Sequence, residues 1–377
     1  MVARQLWTAG IVLFSLAPLS LRCEEKEVPG KAAEEAGQKA AKWLLAQANE
    51  DGTFGQSRAR GVPGIVGLTL YALANSPGKP AAEKTPAIEK AAAYLAGKQM
   101  ENGAIAIAGQ GNENYNTCVA TMALKALNDP KYNEVLEKAK AFILECQHGE
   151  SDGLSKDNMY HGGFFYGKVK NPDLSNTSFS LEALKALGVK EDSPAFQNAL
   201  LFVRRCQDNP ETNDVAEMKA GDGTWGFLYR PFDSEFGTTT TRAGKEFPTV
   251  YGNMTYAAVK CLIFCGIKAE SPELQVAWKW IKSNYSVEKN PGGKGTQGYF
   301  YYLVAFAKAF TAAGTKELTL ADGRKVVWAA DLARQISTLQ KPDGSFRNED
   351  PRWMEDDAVL STSYALIALN LCREALK

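Results

Sequence analysis

The feature that most constrains the fold of this chain is a segment that recurs about every 50 to 60 residues. Each copy has an aromatic or aliphatic residue, then a glutamine four or five positions later, then an Asp-Gly or Asn-Gly pair. The glutamines of the clear copies are Gln47, Gln99, Gln147, Gln207 and Gln340. A degenerate copy without the glutamine extends from Trp278 to Tyr299. Self-similarity at such a period predicts a repeat architecture.

Each copy predicts two helices of different character. The first is amphipathic, with charged residues such as Lys138 and Arg204 between apolar positions, so one of its faces is expected to be exposed to solvent. The second is almost wholly apolar, and we expect it to be covered on most sides. These second segments are Val66 to Ala74, Thr117 to Leu127, Thr177 to Leu187, Thr255 to Leu262, Tyr299 to Phe310 and Leu360 to Leu369. The pattern therefore predicts an outer ring of helices around an inner ring.

The segment between the two helices has a physical rationale. Glycine adopts the left-handed conformation without steric cost, so Asp-Gly or Asn-Gly can end the outer helix. The glutamine can satisfy backbone groups left unpaired at that helix end. An aromatic residue two positions after the glycine is expected to pack back on the stack, as Phe54, Trp225 and Phe346 do in this interpretation. These residues are predicted to be structural first.

Composition limits the classes of function. The 377 residues are 45% hydrophobic, which is enough for a large core, and a repeat fold can hold this length in one domain. Lys plus Arg and Asp plus Glu are equal at 43 each, so no net field attracts nucleic acid or anionic lipid. We expect no nucleic-acid partner.

The first residues predict export. Residues 1–23 contain Arg4, an uncharged apolar stretch from Leu6 to Leu21, and then Arg22. The stretch is shorter than the roughly 20 residues that span a bilayer, so it is interpreted as a secretory signal peptide. Residues 24–32 are then a short linker and residues 33–377 a single domain. We expect a secreted or periplasmic protein with no transmembrane span in the mature chain.

The turn motifs Asp51-Gly-Thr-Phe54 and Asp343-Gly-Ser-Phe346, with the glutamine before each, resemble the QW repeat of squalene and hopene cyclases. More broadly, they resemble the prenyltransferase and squalene-cyclase repeat superfamily. The resemblance covers roughly residues 33–372. It implies an all-α fold, an α6/α6 toroid of about six helix hairpins whose inner helices surround a central cavity.

The resemblance implies different chemistry for different branches of the superfamily. Protein prenyltransferases bind a catalytic zinc with an Asp, a Cys and a His, but the histidines here, His148 and His161, lack that arrangement. We therefore expect no metal and no other cofactor. Hopene cyclases carry an Asp-x-Asp-Asp motif whose middle carboxylic acid protonates an alkene. The nearest segment here is Glu355-Asp356-Asp357, which keeps the Asp-Asp pair.

The carboxylates Glu355, Asp356 and Asp357 are the first candidate site. Like charges in a medium of low dielectric constant raise the pKa of one carboxyl, which can then act as a general acid. Asp356 or Asp357 is the expected acid, with Glu355 and His161 in support. The alternative is ordinary capping, because an Asp before an apolar helix accepts backbone N–H bonds.

A second cluster carries the candidate substrate-binding residues. The aromatic-flanked glycines near Tyr166 precede Asp173 and Asn176, and Asn114 occupies the matching position one copy earlier. The aromatic residues Trp225 and Tyr251 are further candidates for the cavity wall. The fourth copy has two insertions, from Asn209 to Ala220 and from Tyr229 to Pro248. They either form a lid or are surface loops that the fold tolerates.

Three functions remain open on the sequence. The first is a cyclase- or isomerase-type enzyme that acts on an isoprenoid or another hydrophobic substrate. The second is a non-catalytic toroid that binds a hydrophobic small molecule or a cell-envelope partner. The third is a polysaccharide lyase or hydrolase with carboxylates on the rim. A closed aromatic pocket favours the first, a plugged centre the second, and an open groove with paired carboxylates the third.

Overall fold

The computed structural model describes residues 29–76, 85–167 and 171–377. The outer helices are α1 (Pro29–Ala46), α3 (Pro86–Gly97), α5 (Asn133–Glu145), α7 (Pro194–Arg205), α9 (Pro272–Asn284) and α11 (Trp328–Leu339). The inner helices are α2 (Pro63–Ala74), α4 (Glu113–Ala126), α6 (Leu174–Ala186), α8 (Gly252–Phe264), α10 (Tyr299–Ala312) and α12 (Ala358–Ala375). Residues 1–28, which include the proposed signal peptide, lie outside the described residues.

The inner helices close into a ring. Each inner helix contacts the next one along the chain, and α12 contacts α2. The outer helices pack between them, and the side chains of the inner helices are buried almost without interruption. The predicted α6/α6 toroid is therefore confirmed. Five of the six inner helices begin two to four residues before the predicted residue.

The recurring glutamines connect neighbouring outer helices. In four copies the side-chain amide donates to a backbone carbonyl of the next outer helix. The pairs are Gln99 with Val135 (2.8 Å), Gln147 with Ala195 (2.8 Å), Gln207 with Glu273 (3.3 Å) and Gln340 with Ala36 (2.9 Å). The same amides also bond to a carbonyl of their own turn. The glutamine thus acts between copies as well as at its own helix end, and Gln340 joins α11 to α1.

In four copies, the residue that follows the turn anchors it to the next inner helix. Its backbone N–H donates to a threonine hydroxyl, as in Phe164 with Thr177 (3.0 Å) and Phe346 with Thr362 (2.9 Å). In the fourth copy this residue is Phe227, which is fully buried. Trp225, which was expected to pack back on the stack, is partly buried against the core, while the contact with the threonine of α8 is made by Phe227, two residues later.

Short antiparallel hairpins interrupt the otherwise helical chain at two places in the described ranges. Strands β1 (Thr238–Thr240) and β2 (Glu246–Pro248) pair with Thr239 opposite Phe247. Strands β3 (Glu317–Thr319) and β4 (Lys325–Val327) pair with Leu318 opposite Val326. The first hairpin belongs to the second insertion of the fourth copy, so this insertion is an ordered element on the toroid.

The turn glycines generate a stability prediction. Gly103 has a φ of +88°, and a Cβ there would lie 2.3 Å from the carbonyl oxygen of Lys138. Gly109 has a similar φ of +80°, but a Cβ added there would meet no other atom within 4 Å. We expect Gly109→Ala to lower the free energy of unfolding by about 1–2 kcal/mol through backbone strain alone. Gly103→Ala adds a steric cost of about 1–3 kcal/mol.

Urea denaturation of both variants measures the difference. Equal losses of unfolding free energy in the two variants would contradict the close packing of this turn against α5.

Candidate active site

A cavity of about 290 Å³ opens among the amino-terminal ends of the inner helices. All six inner helices contribute at least one residue to its wall. The tyrosines on the wall are Tyr115, Tyr166, Tyr229, Tyr251, Tyr301 and Tyr364. Phe179 and Trp353 add further aromatic surface, and Glu235 and Glu355 are the carboxylates on the wall. The site is thus an aromatic pocket with few ionisable groups.

Glu355 is buried at the wall of this cavity with 1% of its surface exposed. Its Oε1 accepts the backbone N–H of Tyr301 at 2.8 Å. Its Oε2 accepts the backbone N–H of Phe300 at 3.1 Å and the Asn348 amide at 2.8 Å. The carboxyl therefore caps α10, whose own N-cap is Gly298 and offers no side chain.

Burial shifts the proton affinity of this carboxyl. Loss of solvent raises the pKa of Glu355 from 4.5 to about 7, although the hydrogen bonds from Tyr301, Asn348 and Phe300 act in the opposite direction. Desolvation is the larger effect because the surrounding wall is mainly aromatic. Near neutral pH, Glu355 can therefore hold a proton and also release it.

Other inner helices receive the same kind of cap from neutral oxygens. The first turn of α8 receives the amide oxygen of Asn290, at 3.1 Å from the N–H of Asn253. The start of α6 receives the carbonyl of Tyr229, and the start of α4 that of Tyr166, each at 2.8 Å. A neutral oxygen is thus sufficient for the structural task. The carboxyl at position 355 supplies an ionisable group that the fold does not require.

The two neighbouring aspartates, which were predicted as the acid, do not line the cavity. The Asp356 carboxylate pairs with Arg58 at 3.1 Å and does not line the cavity. Asp357 is the N-cap of α12, where it accepts the N–H of Leu360 at 3.0 Å and a hydrogen bond from Ser57. The structure therefore gives both aspartates anchoring contacts, and Glu355, predicted as a supporting group, is the one carboxyl of the three at the cavity.

Asp173 and Asn176 lie directly behind the wall. Asp173 is the N-cap of α6, with 1% of its surface exposed, and accepts the backbone N–H and the side-chain amide of Asn176, each at 2.8 Å. Burial raises the pKa of Asp173 to about 6, opposed by the hydrogen bonds from Asn176 and by the charge of Arg230. Neither Asp173 nor Asn176 lines the cavity, but Tyr229 does.

Three other predicted site residues lie away from the cavity. The His161 ring is buried in the loop before α6, with Nδ1 3.0 Å from the carbonyl of Leu154. Asn114 bridges α4 to the carbonyl of Phe165 and the hydroxyl of Ser180, at 2.8 and 3.0 Å. Trp225 lies in the turn after α7. The sequence singled out His161 as a supporting titratable group, Asn114 by its matching position in the repeat and Trp225 as an aromatic residue, and none of the three lines the cavity.

Tyr166 and Tyr251 line the cavity as the sequence predicted. Sequence reasoning missed most of the other wall residues. A usable signal exists, because the residue two positions before the threonine that anchors each turn lines the cavity in four inner helices. These residues are Tyr115, Ser175, Asn253 and Leu360.

The rim of the cavity joins the insertion of the fourth copy to the last copy. Arg352 donates to the Glu235 carboxylate at 2.7 Å, and its guanidinium lies 4.3 Å from the centre of the Trp353 ring. Trp353 and Met354 both have positive φ values, +55° and +65°, which are strained for residues with side chains. Glu235 therefore ties the insertion to the rim, consistent with the lid interpretation of this segment.

Family comparison agrees with this architecture. The chain belongs to the prenyltransferase alpha-alpha toroid domain family, whose model matches residues 3–170 and 166–295. No curated protein matches the sequence significantly.

Solved structures with the same fold include a type II terpene cyclase from Scytonema, MstE. Its apo form has a TM-score of 0.54 and 12% identity, and the alignment covers 92% of this chain and 99% of that one. A variant of MstE in complex with its substrate, geranylgeranyl dihydroxybenzoate, has a TM-score of 0.53 with the same identity and coverage. At this identity, the similarity concerns the fold.

The raised pKa of Glu355 predicts a pH-dependent stability. Between pH 4.5 and about 7 the folded state holds more protons at Glu355 than the unfolded state does, so stability falls as the pH rises. The shift corresponds to a loss on the order of 3 kcal/mol between pH 5 and pH 8. Glu355→Gln cannot ionise and should lose less stability over this interval than the wild type.

Urea denaturation at pH 5 and pH 8 tests this expectation. Comparing the change with pH, rather than absolute stabilities, cancels any constant cost of the amide. Asp356→Asn is the matched control, since its exposed ion pair contributes about 1 kcal/mol or less. The same pH dependence in the wild type and in Glu355→Gln would show that Glu355 is not the titrating group.

Proposed function

We propose that this chain is an isomerase-type terpenoid cyclase in which Glu355 is the general acid. The observation that carries the proposal is a carboxyl with a pKa of about 7 at a capping position that other inner helices fill with neutral oxygens. A group with this pKa is suited to proton transfer near neutral pH. Its position on an aromatic wall directs that proton toward an apolar substrate.

The cavity wall suits the charge that such a reaction develops. Protonation of an alkene creates a carbocation, and the faces of aromatic rings attract cations. Phe179 and Tyr301 stack with a centroid separation of 5.9 Å, and Tyr115 meets Phe179 edge to face at 5.0 Å. This packing holds the rings in place before the substrate binds. Preorganised stabilisation of this kind requires no rearrangement when the cation forms.

The size of the cavity limits the substrate. Its volume of about 290 Å³ lies at the lower end of the roughly 300–1,000 Å³ typical of ligand pockets. This volume favours a short isoprenoid, such as geraniol or farnesol, over squalene. The substrate that MstE binds also carries an isoprenoid chain, which supports the same chemical class.

The protonation step follows from this geometry. The Glu355 carboxylic acid gives its proton to one carbon of a substrate alkene, and the π electrons form the new C–H bond. The other alkene carbon becomes the cation, which a second alkene of the same substrate can attack to close a ring. Glu355 is left ionised, stabilised by the N–H groups of Phe300 and Tyr301. Loss of a proton from the final cation completes an isomerisation.

A non-catalytic binding role is the second candidate. Both Glu355 oxygens accept backbone N–H groups of α10, which favours an anchoring role for this carboxyl. The cavity would then hold a hydrophobic small molecule unchanged. A carbohydrate-active role has less support, because the second wall carboxylate, Glu235, pairs with Arg352.

Incubation of the purified protein with geraniol, farnesol and squalene separates these roles. Mass spectrometry of organic extracts should reveal an isomeric cyclic product. Glu355→Gln should lower its rate by about 10²–10⁴-fold, the usual contribution of a general acid. The wild-type rate should also decline as the pH rises above about 7, because Glu355 then loses its proton.

Asp356→Asn is the control for this experiment, because Asp356 does not line the cavity. Equal product from the wild type and Glu355→Gln would remove Glu355 as the acid. Unchanged substrate that nevertheless co-purifies with the wild type would favour the binding role.

We further propose that residues 1–23 direct export and are removed. The apolar stretch from Leu6 to Leu21 supports this, and no helix among residues 29–76, 85–167 and 171–377 is long and apolar enough to span a membrane. Mass spectrometry of the protein recovered from secreted and cell fractions should give a chain that starts near Glu24. Recovery of the intact chain inside the cell would contradict export.

A further inference from the structure

The indole of Trp353 lies between the cavity and the solvent. Trp353 lines the cavity and also exposes 42% of its surface. Among the large apolar residues that are exposed in the described part of the chain, it is the one on the cavity wall. The ring therefore forms part of the opening through which the cavity meets the solvent.

Gly298 provides the surface on which this indole packs. Gly298 directly precedes α10 with a φ of +64°, and a Cβ added there would lie 2.9 Å from two ring carbons of Trp353. Carbon atoms in contact prefer a separation of about 3.5–4.0 Å. The ring thus packs against bare backbone, and a side chain at position 298 would displace it.

Two segments of the chain hold the ring in this place. The Arg352 guanidinium lies 4.3 Å from the centre of the indole, where the face of the ring attracts the cation. From the insertion of the fourth copy, the Phe236 ring meets the indole edge to face at 5.8 Å. Glu235 accepts the hydrogen bond from Arg352 at 2.7 Å and so joins the two segments. The indole is therefore fixed at the opening before a ligand binds.

Backbone strain marks the same segment. Trp353 and Met354 both line the cavity and both have positive φ values, which are typical of ligand-binding segments held by their surroundings. Phe232, in the insertion, is a matched comparison. It has a φ of +58° and exposes 39% of its surface, but it does not line the cavity.

We propose that Trp353 determines the length of the isoprenoid that the cavity accepts, because its indole closes the end of the cavity that faces the solvent. This inference rests on the proposed function for the class of substrate. A chain longer than the closed cavity leaves its last isoprene unit in water, where that unit adds little to the affinity. Without the indole, the unit enters the space between Gly298 and Phe236 and is buried there.

Binding of saturated alcohols tests this inference without any chemistry. Fully hydrogenated farnesol and geranylgeraniol differ by one isoprene unit and offer no alkene to protonate. The purified protein is equilibrated with each alcohol, and the bound fraction is measured by ultrafiltration and gas chromatography. In the wild type we expect the two Kd values to agree within about threefold, because the added unit is not buried. In Trp353→Ala the longer alcohol should bind at least about tenfold more tightly, the gain from burying roughly two further CH₂ groups.

Phe232→Ala is the control for the loss of an exposed aromatic side chain. Its ratio of the two Kd values should stay within about twofold of wild type, since Phe232 lies away from the cavity. Gly298→Ala tests the packing directly, because the added methyl group displaces the indole and should move the ratio toward that of Trp353→Ala. The double variant of Gly298→Ala and Trp353→Ala should match Trp353→Ala, since no ring then remains to be displaced.

The outcomes separate this inference from the proposed function. A wild-type ratio in Trp353→Ala, or in Trp353→Leu if the alanine variant does not fold, overturns the inference. An equal change in Phe232→Ala also overturns it, because a general loosening of the insertion would then explain the result. The expected ratios without any cyclic product from farnesol would remove the acid chemistry and support the inference. No binding of either alcohol to the wild type or Trp353→Ala overturns the inference and the isoprenoid class together.

Discussion

The unpaired backbone N–H groups at the starts of the inner helices are the constraint on which this structure depends. These helix ends meet around one cavity, where an aromatic wall excludes much of the water that would otherwise bond to them. The chain meets the requirement with oxygens from the segment before the following inner helix, such as Tyr229 for α6 and Asn290 for α8. The contacts that cap the inner helices are therefore also contacts that hold neighbouring repeats of the ring together.

The proposed chemistry uses this constraint. Wherever a helix start needs an oxygen, the chain can place a carbonyl, an amide or a carboxyl without changing the fold. Glu355 is a capping carboxyl on the cavity wall, and Asp173 is a second buried capping carboxyl that does not line the cavity. Burial raises the pKa of both carboxyls above their ordinary values.

The sequence was sufficient to predict the fold and only part of the site. The glutamines and Asp-Gly turns recur at a fixed period, so they reveal the toroid without knowledge of any contact. The Glu355-Asp356-Asp357 segment was also found, but the sequence did not show which carboxyl lines the cavity, because Glu355 on the wall and Asp356 in the Arg58 ion pair are adjacent in the chain. Tyr229 begins an insertion, so its place on the cavity wall depends on a chain path that no periodicity encodes.

The closure of the ring determines when the site can exist during folding. Glu355 and Asp357 precede α12, and Asp357 accepts a hydrogen bond from Ser57, 300 residues earlier in the chain. Gln340 likewise bonds to Ala36 across 304 residues. Loop-closure entropy makes contacts of such high sequence separation slow to form. The proposed acid therefore enters its apolar surroundings only when the last inner helix docks, so an incomplete ring leaves that carboxyl in water with an ordinary proton affinity.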